Sequence, residues 1–186
     1  MLFRSVSPAS LTFNASNWNV PQTVTVAGVN DFIIDGTQTS LITVSINDAL
    51  SSDFFDAVAD QTLNATTADN DVAGFVVNQT SGSTVVTEGG TTDTFTIALT
   101  AQPASNVVLN VTGSNSNEAT VSPSVLTFSP GNWNVPQTVT VTGVDDLLID
   151  GPRQSTVTIA VDTNLSDNDF DALPNQTVNE IGRAHV

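Results

Sequence analysis

The sequence predicts an all-β chain of antiparallel β-sandwich repeats, one nearly complete and one partial. Three features point that way. Apolar residues alternate with threonine and serine over short runs, the pattern of strands with one face buried and the other in water. The stretch Asn-Trp-Asn-Val-Pro-Gln-Thr-Val-Thr-Val occurs twice, starting at Asn17 and at Asn132. No segment carries the 3.6-residue apolar period of an amphipathic helix.

The duplicated stretch sets the domain organisation. Trp18 and Trp133 stand 115 residues apart, and the same offset carries Ser7 onto Ser122 and Asn64 onto Asn179 without a gap. That period is too long for a solenoid unit and close to the roughly 100 residues of an immunoglobulin-like sandwich. Residues 6–71 then form the C-terminal part of a first repeat, and residues 72–180 a second, nearly complete one. The tails 1–5 and 181–186 resemble in-frame translations of a sequencing adapter and are set aside as non-native. The chain is therefore expected to be a fragment of a longer reading frame.

In the first copy, Leu11 and Phe13 flank Thr12, Val24 and Val26 flank Thr25, and Ile42, Val44 and Ile46 alternate with Thr43 and Ser45. Each run predicts a strand. Turn signals separate them at 27–30, at Asp35-Gly36 and over the polar loop 51–60. A short last strand, 61–64, leads into Asp69-Asn70-Asp71. The second copy supplies what the first lacks. Residues 74–77 and 84–87 predict a split first strand closed by Glu88-Gly89-Gly90. Phe95/Ile97/Leu99 and Val107/Leu109/Val111 predict the next two, with a loop over 113–118. Val121 with Leu126/Phe128, then Val139/Val141, Val157/Ile159/Val161 and Thr177-Val178 complete about seven strands, the last clipped at Glu180. Without its first three strands, the first copy should be poorly packed.

Composition narrows the function. Three Lys and Arg face 19 Asp and Glu, and without the tails only Arg153 is left as a cation. Such a chain repels phosphate backbones and anionic lipid, so nucleic acid is excluded as a partner. No apolar run approaches the roughly 20 residues of a membrane-spanning helix, so no membrane insertion is expected of this segment. Cysteine is absent, which removes disulfides and thiolate metal sites. Outside the tails there is no histidine, lysine or tyrosine to activate a nucleophile. A two-carboxylate glycosidase is the one enzyme reading left, and acids in polar loops lack the raised pKa it needs, so the chain is expected not to be an enzyme.

The acids are not evenly spread. Asp31 and Asp35 align with Asp146 and Asp150, each pair closed by glycine, and Asp145 is added in the second copy. Alternating strand direction should bring this loop, the Glu88 turn and the end of the last strand to one pole. Glu88, Asp145, Asp146 and Asp150 would converge there; Asp31, Asp35, Asp69 and Asp71 are the first-copy counterparts. Carboxylates a few ångströms apart repel by roughly 4 kcal/mol per pair at an effective dielectric near 20. A solvated acidic face is one way to relieve this. A bound calcium, taking six to eight oxygens, is the other and the preferred one; magnesium demands stricter geometry.

The Thr87-Glu88-Gly89-Gly90 turn, the Gly143-Val144-Asp145-Asp146 loop ending in Asp150-Gly151, and the Asp69-Asn70-Asp71 terminus together resemble a Calx-beta-type repeat. The resemblance implies a calcium-binding β-sandwich that occurs in tandem in large bacterial surface or secreted proteins. It further implies an extracellular or cell-surface location, a stiff structural or adhesive spacer, and neighbouring repeats of the same chain as partners. The second copy departs from the pattern in lacking the terminal acids. Trp18 and Trp133 leave an alternative open, a carbohydrate-binding module holding polysaccharide or another cell-surface partner; a Trp beside Pro21 or Pro136 also suits packing over one end of the sandwich. The acidic run Asp167-Asn168-Asp169-Phe170-Asp171 imitates an EF-hand opening, but Ala172 and Val178 stand where that loop needs Gly and Glu, so a solvated loop is expected.

Overall fold

The computed structural model describes residues 5–145, 151 and 153–183. The chain is all-β and forms two compact units. One comprises Met1–Asp31 and Asp35–Asn70, and the other comprises Phe32–Ile34 and Asp71–Val186.

In the first unit, β1 (Ser5–Ser7) pairs antiparallel with β2 (Thr25–Ala27), and β3 (Gln38–Val44) with β4 (Gln61–Thr67). None of its described residues is buried, and Leu50 and Phe54 are 85% and 94% exposed. The strand expected at Leu11 and Phe13 does not form. Its counterpart in the second copy pairs with a single neighbour, and the first copy has no sequence for that neighbour. A ladder with no partner leaves the backbone to water.

The second unit holds β5 (Phe75–Gln79), β6 (Thr84–Thr87), β7 (Thr92–Leu99), β8 (Val107–Gly113), β9 (Ala119–Ser122), β10 (Val125–Phe128), β11 (Gln137–Gly143), β12 (Arg153–Val161) and β13 (Gln176–Arg183). They make a five-stranded sheet, β10-β8-β12-β13-β6, and a four-stranded sheet, β5-β7-β11-β9. The split first strand explains part of the excess over seven. β5 joins β7 in one sheet and β6 joins β13 in the other, across a turn where Ser81 and Gly82 take φ of 57° and 78°. Pro123, with no N–H to give a ladder, separates β9 from β10.

Alternating residues of both sheets fill the core: Phe95, Ile97, Leu109, Phe128, Val139, Val141, Val157 and Ile159 are all 0% exposed. Fully burying each such side chain contributes roughly 1.5–3 kcal/mol, which is why this unit closes and the first does not. The expected end of the last strand at Glu180 is corrected. β13 runs on through Arg183, with Ile181, Gly182 and Arg183 opposite Val85, Val86 and Thr87 of β6, the one parallel pair among the described strands. Ladder bonds are made by the main chain, so the pairing continues whatever side chains follow.

Candidate functional site

Register places the ends of several strands at one pole of the second unit. Arg183 lies opposite Thr87 and Gly182 opposite Arg153, the first residue of β12, while Gly113 lies opposite Val157, midway along that strand. In the other sheet Thr142 lies opposite Thr92 and Gly143 opposite Ala119. The Glu88 turn therefore shares its pole with the end of β11 and the start of β12, the strand that Arg153 opens.

Main-chain bonds from the end of β11 to the starts of its sheet neighbours β7 and β9 extend their ladders at this pole. Gly143 donates its N–H to the Thr91 carbonyl (3.0 Å), and Val144 donates to the carbonyl of Glu118 (2.8 Å). A Cβ added at Gly143 would collide with the Thr87 carbonyl oxygen, so only glycine lets β11 end against β6. Glu88, the next residue, is only 5% exposed, within a turn closed by Gly90 N–H to Thr87 (3.2 Å) where Gly90 takes φ of 76°. Asp145, two residues beyond Gly143, is exposed. Asp146 and Asp150 lie outside the described residues. Among those described, no three carboxylates come close enough together to hold a metal. Glu118 was missed from sequence; the strand-to-strand loop that carries it was visible, but its pole depends on β9 pairing with β11.

Of the first-copy acids, Asp69 reaches the Asp35 loop. Its Oδ2 accepts the N–H of Asp35 (3.1 Å) and of Gly36 (2.9 Å), and Gly36 takes φ of 66° to make the turn. Asp31 belongs to the same unit, whereas Asp71 belongs to the other.

The tryptophan corner is the same device in both copies. Gln22 and Gln137 each donate to the carbonyl of the threonine ten residues earlier, Thr12 (2.9 Å) and Thr127 (2.8 Å). Asn17 and Asn132 each accept a backbone N–H from Asn14 and Ser129, at 2.6 Å in both cases. Their surroundings differ. Trp133 is half-buried against the core, its carbonyl accepting from Leu99 N–H (2.9 Å), and the Phe32 ring lies over it with centroids 5.3 Å apart and planes at 47°. Trp18 is 71% exposed.

The acidic run at Asp167 is not a solvated loop. Asp167 is 7% exposed, and Phe170 inserts fully into the core. The carboxylate accepts N–H bonds from Ala104 (2.7 Å), Ser105 (2.8 Å) and Asp169 (3.1 Å), capping the 3-10 turn Asn168–Phe170. Burial pushes its pKa up, but the donors of Ser105, Asp169 and Ala104 outweigh that and hold it below the usual aspartate value.

No protein-family model matches the sequence, and no curated protein matches it. Similar solved structures include domains 1–6 of the surface layer protein SbsC, with a TM-score of 0.48 and 23% identity over 80% of this chain and 17% of that one. The periplasmic chaperone SfaE aligns with a TM-score of 0.45 and 9% identity over 61% of this chain and 58% of that one. SSP-19 of Caenorhabditis elegans, an MSP-domain-like protein, aligns with a TM-score of 0.37 and 18% identity over 56% of this chain and 94% of that one.

Proposed function

We propose that the second unit is a non-catalytic, calcium-binding structural or adhesive repeat, a stiff spacer of a large bacterial cell-surface or secreted protein. Glu88 and Asp145 are its ligands among the described residues, with Asp146 and Asp150 following in sequence, and Asp31, Asp35, Asp69 and Asp71 serve the first copy. The single observation that supports it is the seating of Gly143 against Thr87, which sets the turn of Glu88 beside the strand end that leads to Asp145. Bound calcium would neutralise carboxylates that otherwise repel across this pole. Thermal unfolding of the full chain in calcium and in chelator tests this. A calcium-dependent rise in Tm that magnesium does not reproduce supports it, and the same melt in both conditions overturns it.

The 71% exposure of Trp18 favours a second reading, a carbohydrate-binding module. Its test is glycan binding that Trp18→Ala or Trp133→Ala abolishes.

A further inference from the structure

The second unit contains three residues that the 115-residue offset places in the first sequence copy. Phe32, Ile33 and Ile34 belong to this unit, whereas Asp31 and Asp35 are assigned to the other. The three residues lie against the loop that follows β7. Gln102 N–H donates to the Phe32 carbonyl (2.7 Å), Ile33 bridges Gln102 in parallel, Phe32 lies on Trp133, and Ile34 packs against the core. The receiving surface is braced. Gln102 Nε2 donates to the Pro130 carbonyl (2.9 Å), which holds the loop after β7 against the tryptophan corner. Main-chain bonding beside apolar seats for alternate side chains is how a surface takes up an extended segment, the first giving affinity and the second selectivity. The strip is laid on rather than sealed in, since Phe32 remains 56% exposed.

We infer that the Trp133–Gln102–Pro130 surface is a docking site for one kind of partner, the Asp-apolar-apolar-Ile-Asp segment of another copy of this repeat. Here that segment is Phe32–Ile34; the aligned sequence in the second copy is Leu147, Leu148 and Ile149, which keeps the same apolar chemistry between aspartates. Aligned Trp18, at 71% exposure, shows how a corner looks in a copy that lacks the Gln102 edge. Each repeat would thus carry both a donor segment and an acceptor surface. The inference does not rest on calcium, so its test is run in chelator.

The test uses the full chain with Trp18→Phe, leaving Trp133 as the sole tryptophan. In that background Phe32→Ser with Ile34→Ser should undock the strip, shifting Trp133 emission to the red and raising its quenching by acrylamide. Synthetic peptides with the sequences of residues 29–37 and 144–152 should each reverse both changes, with half-saturation on the order of 0.1–1 mM, and a scrambled peptide should not. A tethered segment at an effective concentration in the millimolar range stays docked at such affinity. If the double variant loses its strand signature in circular dichroism, Phe32→Ala alone, which removes a half-exposed ring, carries the same titration. Unchanged emission on undocking, no reversal by either peptide, or equal reversal by the scrambled one overturns the inference.

Discussion

Gly143 sits flat against Thr87: a Cβ on the glycine would collide with the threonine carbonyl oxygen and stand 2.8 Å from its carbonyl carbon. Backbone cannot swing aside as a side chain can, so Gly143→Ala should force β11 away from β6. The expected cost is roughly 1–3 kcal/mol, as for overpacking elsewhere, read as a Tm lowered by several degrees. The aligned glycine of the first copy, Gly28, would meet only the Thr67 methyl at 3.1 Å, and Gly28→Ala should cost less. Equal melts for both variants would show that the pole tolerates separation.

If calcium binds beside that contact, its stabilisation depends on the carboxylates there. At ten times the dissociation constant one site adds about 1.4 kcal/mol. Glu88→Gln and Asp145→Asn should each shrink the calcium-dependent rise in Tm, whatever they do to the melt in chelator. Asp162→Asn, at the far end of β12, should leave that increment intact. A full calcium increment in both pole variants would move the metal elsewhere.

The tryptophan corner was legible because the chain states it twice, and Asn132, Gln137 and Trp133 have local, sequence-near partners. The strands of the second unit were legible from alternation alone, since each apolar face is buried. What failed depended on distant partners. Leu11 and Phe13 have the alternation of a strand, yet form none because the neighbour they need has no counterpart in the first copy. Asp167 was taken for a solvated acid because its run fails the EF-hand pattern at Ala172 and Val178, although Phe170 three residues on marked a segment that returns to the core. Phe32–Ile34, an apolar run between two aspartates, carries no strand alternation, and no periodicity shows that a loop elsewhere in the chain will receive it. For the acidic pole, strand order brought the Glu88 turn to the end of β11, while Asp146 and Asp150 lie outside the described residues.

Packing differs so sharply between the units that protease sensitivity should follow it. No described residue before Phe75 is buried, and Leu50, Phe54 and Phe55 are 85%, 94% and 57% exposed in the segment between β3 and β4. Chymotrypsin at low ratio should cut there first and leave a resistant fragment containing Phe75 to Val178, since local opening is cheapest where few apolar contacts must break. Cleavage after the buried Phe95 or Phe128 at the same rate would contradict the packing described.

Asp167 should make stability fall in acid. Its carboxylate is held by the N–H groups of Ala104, Ser105 and Asp169, which depress its folded pKa below the value of about 3.9 that an unfolded chain would show. As pH falls the unfolded state binds the proton first, so the contribution is complete above that unfolded value and is lost as pH drops through the folded one. Asp167→Asn keeps one oxygen for Ala104 and Ser105 but turns an NH2 toward the Asp169 N–H, leaving a buried donor unsatisfied. The expected loss near pH 7 is on the order of 1–3 kcal/mol. Urea unfolding at pH 7, 5 and 3 should show the gap between wild type and variant unchanged from 7 to 5 and narrowed at 3. A gap that stays constant down to pH 3 would mean that the charge contributes nothing and that shape alone holds the loop.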